Sequence, residues 1–207
     1  MMNDPGATVT AKDVKKLRDM TGAGMMECKR ALTEMEGNTE RAVDLLRAKG
    51  AAKVAKRAGK SATEGMIGSY VHFDNKTAVI IELNCETDFV ANTDDFRALA
   101  KDLALHIASS APIAVSRDQI PDEVIERERG VYLEQVKEAG PKPEHIADKI
   151  VEGKLNKFLK ENTLLAQDFV KNPDKTIEDL ITEVSARTGE KIGVGRFVRI
   201  KVGEQLA

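Results

Sequence analysis

Residues 65–85 read GMIGSYVHFDNKTAVIIELNC, two apolar runs around the polar turn Asp74-Asn75-Lys76. In the second run Val79, Ile81, Leu83 and Cys85 alternate with Ala78, Ile80, Glu82 and Asn84. A period of two fits a pleated strand and not a helix. The two runs therefore make a candidate β-hairpin, with Glu82 and Asn84 marking the wetter face. Near the other end of the chain VGRFVRIKV, residues 194–202, sets Val198, Ile200 and Val202 against Phe197, Arg199 and Lys201, a third strand. Strands early, a long helical stretch and one returning strand are an α+β order. The expected core is a small antiparallel sheet of about three strands with packed helices, and such a sheet leaves an edge or a face needing cover. A homodimer is one way to supply it.

Ahead of the hairpin, residues 9–50 read as three short helices. Thr10 is a good N-cap with Asp13 three residues on, and Val9 and Val14 occupy hydrophobic-staple positions. The turn Thr21-Gly22-Ala23-Gly24 breaks the first helix. Met25, Cys28, Leu32 and Met35 then form a stripe at helical spacing. Gly37 stops the second helix, Asn38 caps the third, and Ala42, Leu45 and Leu46 face inward before Gly50 ends it. Three helices in so short a span form a minimal bundle. From Arg47 to Lys60 come six basic residues and no acid, an Ala-rich stretch read as a solvated helix or linker. The division expected is 1–50 bundle, 51–62 basic linker or helix, and 63–207 core.

Behind the hairpin helices dominate. Phe96, Leu99, Leu103 and Ile107 make one buried stripe, and Pro121 opens another helix at its first position. Residues 141–170 are mostly helical, followed by a loop at KNPDK (171–175). Thr176, with Asp179 in the box position, caps a last helix that ends at Gly189.

Composition narrows the function classes. The chain has 207 residues, 42% hydrophobic and 32% charged, with aromatics at only 4% and no Trp. A net charge of −2 is not the broad basic footprint of a general nucleic-acid binder, so no direct nucleic-acid contact is expected. Two cysteines, Cys28 and Cys85, lie inside apolar patterns, which suits buried thiols in a reducing compartment. No export signal, membrane span or metal-ligand spacing is visible, so a cytoplasmic protein with no metal and no cofactor is expected. His72, His106 and His145 are scattered, and no nucleotide-binding glycine loop or hydrolase motif occurs. Cys85 with His72 across the hairpin is conceivable as nucleophile and base, but Cys85 falls on the apolar parity of its strand. The chain is read as a non-enzyme.

One connection is unusual. NCETDFVANTDDF, residues 84–96, joins the second strand to the helix of Phe96. Thr87-Asp88-Phe89-Val90 and Thr93-Asp94-Asp95-Phe96 supply two helix starts six residues apart, where one helix needs one. Phe89 is then either a plug between sheet and helix or a side chain presented outward on its own turn. The residues alone leave both readings open.

Several stretches together resemble bacterial translation elongation factor Ts: residues 17–50, which are similar to that family's ubiquitin-associated-like three-helix domain, residues 51–72, the Thr87–Val90 motif in its full TDFV form, residues 150–172 and residues 195–204. The likeness spans nearly the whole chain and follows the short form, with a single core subdomain and no projecting coiled coil. It implies a guanine-nucleotide exchange factor that binds elongation factor Tu·GDP, disturbs its Mg²⁺ and phosphate site and promotes GDP release. It also implies a homodimer formed through the core. Asp88 and Phe89 would insert near the partner's magnesium site, with Thr87 and Val90 holding the turn. The alternative function is a non-catalytic adaptor whose helical bundle binds a protein or nucleic-acid partner.

Overall fold

The structure is a computed structural model describing residues 9–204. Helices α1 (Ala11–Thr21), α2 (Met25–Glu34) and α3 (Thr39–Lys56) precede the strands β1 (Glu64–Val71) and β2 (Thr77–Cys85). A single-turn helix α4 (Asp88–Ala91) follows, then α5 (Asp94–Ser110), α6 (Asp122–Glu138) and α7 (Glu144–Asn162). The chain closes with a short hairpin of β3 (Asp168–Phe169) and β4 (Asn172–Thr176), helix α8 (Ile177–Thr188) and strand β5 (Gly193–Lys201). The α+β class is as expected. Two compact units share these elements: Met1–Gly65, Asn84–Phe96 and Ile181–Gly193 form one, and Met66–Leu83, Arg97–Leu180 and Val194–Ala207 the other.

In the first unit Val14, Leu17, Cys28, Ala31, Leu32 and Ala42 make a buried cluster, with Val9, Met35, Leu45 and Leu46 packed around it. The Thr10–Asp13 capping box starts α1 as expected, and Asn38 caps α3 by accepting from the Arg41 N–H. Met25 is a correction to the stripe: it lies half exposed at the start of α2, whereas Cys28, Ala31 and Leu32 are buried. Gly50 is a second. It does not end α3, which runs on to Lys56. A Cβ at Gly50 would sit 3.0 Å from the Cβ of Ala186, so the missing side chain serves close approach of α3 to α8. The Ala-rich continuation has the propensity to stay helical. Its basic side chains find acids: Lys49 pairs with Glu34 at 2.7 Å, Lys53 with Glu27, and Arg57 with Glu86.

The second unit holds most of the sheet, in the order β1-β2-β5. Val202 N–H donates to the Lys76 carbonyl and Arg196 meets Glu82, a register that runs β5 antiparallel to β2. Val79, Ile81 and Leu83 are buried, as their parity predicts. Helix α5 crosses their face where Gly68 leaves room for Ala100, and Leu99, Leu103 and Ile107 are buried along it. Strand β5 carries its apolar side chains on the other face. Val198, Ile200 and Val202 are exposed with Ile67 and Ile80, while Arg199 turns to the covered side and donates to the Ala108 carbonyl.

Helices α6 and α7 close over Ile120, Leu155 and Leu159, and Arg129–Glu152 at 2.6 Å bridges them. Pro121 is the residue before α6 rather than its first, a shift of one position. The expected loop at residues 171–175 is instead the return strand β4. It folds against α5 through the buried His106, which accepts from Val170 N–H at Nδ1 (3.3 Å) and bonds Gln167 Oε1 at Nε2 (2.9 Å).

Candidate functional site

Strand β2 ends at the buried Cys85, and the next two residues leave the ladder. Thr87 sits in an extended conformation (φ −134°, ψ 154°) as the N-cap of α4, and its hydroxyl oxygen accepts from the Val90 N–H. Thr93 repeats the arrangement for α5, accepting from the Phe96 N–H while its own hydroxyl donates to the Val90 carbonyl at 2.8 Å. The two helix starts read from the sequence are therefore two helices, the first one turn long. Val90 and Ala91 are buried and anchor that turn. Asp88 is exposed, and Phe89 stands 81% exposed. Of the two readings of Phe89, the outward one holds: it plugs no gap.

A single carboxylate from 103 residues away gathers the strand end. Glu190 Oε2 accepts from the Glu86 N–H at 3.1 Å and the Thr87 N–H at 3.0 Å, and its Oε1 accepts from the Thr87 hydroxyl at 2.6 Å. Beside it, Glu86 takes two bonds from Arg57, both 2.7 Å, and one from the Lys191 N–H, also 2.7 Å. The forked guanidinium matches the carboxylate in geometry as well as charge. Arg57 above all, then the Lys191 N–H, holds the Glu86 carboxyl down to about 2, against an ordinary 4.5. Lys191 in turn donates through Nζ to the carbonyls of Ala58 (2.7 Å) and Lys60 (3.0 Å). The turn bearing Phe89 is thus tied to the end of α3 and to the connection between α8 and β5.

Glu190, Arg57 and Lys191 have no local signature that sequence reading picks up, because their partners are remote in the chain. The one hint is the run from Arg47 to Lys60, whose charges had no acid nearby.

The arrangement has the wrong chemistry for nucleophilic catalysis at Cys85. Burial first, then the Glu190 charge, pushes its thiol up, and the S–H donates to the Thr87 carbonyl at 3.1 Å. A reactive cysteine needs the opposite, a positive and accessible environment that favours thiolate. His72 bonds the Tyr70 hydroxyl through Nδ1 at 3.0 Å and leans on the Phe73 ring.

On the bundle, Met20, Met25 and Met26 are all exposed around the turn that joins α1 to α2. No helix among the described residues is long and apolar enough to cross a membrane.

The sequence matches a known family along most of its length. The family model described as Elongation factor TS matches residues 7–204. The Elongation factor Ts of Thermosipho melanesiensis is 53% identical over 196 residues, covering 95% of this chain and 100% of that protein. That of Geobacter sulfurreducens is 50% identical over 199 residues, covering 96% and 92%. That of Desulfotalea psychrophila is 54% identical over 195 residues, covering 94% and 98%. The chain belongs to the elongation factor Ts family.

Proposed function

We propose that this protein is the guanine-nucleotide exchange factor of elongation factor Tu, and that Phe89 is the wedge by which it loosens bound GDP. Membership of the elongation factor Ts family carries the broad role, nucleotide exchange in translation elongation. The observation that carries the finer reading is Phe89 itself, a large apolar side chain 81% exposed on a one-turn helix held at both ends. A buried aromatic stabilises its own fold, whereas one held out rigidly gains its burial from a partner.

In this reading Asp88 and Phe89 enter near the partner's magnesium site, with Thr87 and Val90 holding the turn. Mg²⁺ neutralises charge between protein and phosphate, so moving its ligands removes much of what holds GDP. Exchange needs no bond made or broken by this chain, which acts by binding. A factor that prefers the nucleotide-free partner must weaken GDP by the same coupling energy that GDP exerts on it.

Magnitude decides how the work is shared. A thousandfold faster release requires about 4 kcal/mol of differential stabilisation. Burying one Phe contributes roughly 1.5–3 kcal/mol, most of it available in any bound state. The remainder comes from a wider grip, for which the exposed Met20, Met25 and Met26 of the bundle are suited as adaptable apolar contacts. In the division into bundle (1–50), linker or helix (51–62) and core (63–207) the grip lies in the first and the wedge in the last, although the turn of Phe89 belongs to the same compact unit as the bundle.

A second copy of the chain is the other partner. The exposed sheet face carries Ile67, Ile80, Val198, Ile200 and Val202, a concentration of apolar side chains of the kind that marks an interface. The protein acts in the cytoplasm, without membrane or direct nucleic-acid contact.

The test is stopped-flow release of a fluorescent GDP from elongation factor Tu. Catalytic amounts of the protein should accelerate release greatly, and an unchanged rate would overturn the reading. Removing residues 1–55 separates it from the adaptor alternative, because an adaptor keeps its partner on the bundle alone.

A further inference from the structure

We infer that Glu190 is the positioning residue of the exchange motif: its carboxylate sets the direction in which Phe89 is presented. The inference rests on the reading of Phe89 as the wedge, and its spectroscopic test does not.

The need for such a residue follows from the local structure. Beyond Cys85 the strand has ended, so the N–H groups of Glu86 and Thr87 have lost their ladder partners. Helix α4 has only four residues, and a single turn is not stable on its own because nucleation costs more than one turn returns. Its backbone bonds are few: Ala91 N–H to the Thr87 carbonyl at 3.3 Å and Asn92 N–H to the Asp88 carbonyl at 3.1 Å. Glu190 supplies what is missing. One carboxylate satisfies both orphan N–H groups and the hydroxyl of the capping Thr87. Bonds to an ionised acceptor are about twice as strong as neutral ones.

Glu190 is itself held on both sides. Gly189 adopts φ +75°, a left-handed cap that ends α8, and its N–H donates to the Ser185 carbonyl at 2.9 Å. The Ser185 hydroxyl, on a fully buried residue, donates to the Glu190 carbonyl. The next residue, Lys191, is bound through its N–H to Glu86 and through its Nζ to the end of α3. The carboxylate therefore arrives on a fixed backbone, as a positioning group must.

Geometry also distinguishes the substitutions. Glu190→Ala leaves two N–H groups and a hydroxyl without partners. Glu190→Gln keeps the volume and one acceptor oxygen, but places an amide NH₂ where the Thr87 hydroxyl donates. The Thr87 oxygen already accepts from Val90 N–H, so that exchange is imperfect.

The chain contains no Trp and two Tyr, so Phe89→Trp creates a single, selectively excitable Trp at the tip of the motif. In that background we expect the fast nanosecond component of the Trp anisotropy decay to grow at least twofold with Glu190→Ala and less with Glu190→Gln. With Phe89 restored, the same Glu190 changes should lower the maximal GDP-release rate, tenfold or more for Ala and about threefold for Gln. The half-saturating concentration of the factor should stay within twofold, since the gripping surfaces are untouched. A purely structural role would reduce the folded fraction and leave both the anisotropy of the folded protein and its maximal rate as they were. That result, in either variant, overturns the inference. If Glu190→Ala does not fold, Glu190→Gln decides alone. If Phe89→Ala proves harmless to exchange, the wedge reading fails, while the anisotropy still reports whether Glu190 holds the turn.

Discussion

Phe89 and Glu86 are three residues apart and illustrate opposite uses of a side chain. Phe89 is 81% exposed, so its ring adds little to the buried core. Phe89→Ala should therefore change unfolding free energy by no more than about 0.5 kcal/mol in a denaturant titration. A cost of several kcal/mol would mean that the ring is buried after all. Glu86, by contrast, belongs to the fold. Its carboxyl is depressed to about 2, chiefly by Arg57, whereas in the unfolded chain it titrates near the ordinary 4.5. The folded state thus binds fewer protons in that window, and the stabilisation is complete above about 4.5 and lost as pH falls towards 2. Thermal unfolding of the wild type and Glu86→Gln should differ most at pH 5 and above, with the gap narrowing steadily below it. A gap independent of pH would contradict the assignment. At this scale the sequence showed Thr87, Asp88, Phe89 and Val90 as a helix start with an odd aromatic, because capping is local chemistry. It did not show Glu190, because a bond across 103 residues leaves no periodic trace.

Elements were legible where one period governs many residues. The β1-β2 hairpin, the stripe of α5 and the capped starts of α1, α3 and α8 all follow from spacing or from caps, and the structure holds them. The misreadings came where packing overrides propensity. Gly50 reads as a stop, yet it is the point at which α3 passes Ala186, and the helix continues. The β3-β4 hairpin was invisible because β3 has two residues and β4 contains Pro173, so neither can alternate. What fastens that hairpin is His106 on α5. Its Nδ1 accepts from Val170 N–H, which requires the neutral ring, and burial lowers its proton affinity. The unfolded chain protonates near about 6.5 and the folded chain only at lower pH, so stability should fall as pH drops below about 6.5. Hydrogen exchange should report the Val170 amide opening first in wild type between pH 7 and 5. In His106→Gln the acid dependence should vanish, and its persistence would point to another group.

At the level of the whole molecule, the proposed function gives the apolar side of the sheet and the exposed motif partners of different kinds. Ile67, Ile80, Val198, Ile200 and Val202 lie exposed on strands whose opposite face already carries the core. For the proposed homodimer, Ile200→Lys should shift sedimentation equilibrium at micromolar concentration from dimer to monomer, with little change in the far-ultraviolet spectrum. A wild type that sediments as a monomer would remove the homodimer from the account. The proposed exchange mechanism divides the labour between grip and wedge, and its decisive measurement is the maximal rate of GDP release from elongation factor Tu at saturating factor. Phe89→Ala should bind its partner with a half-saturating concentration within a few-fold of wild type and lose most of the acceleration. An undiminished maximal rate for Phe89→Ala would contradict the wedge.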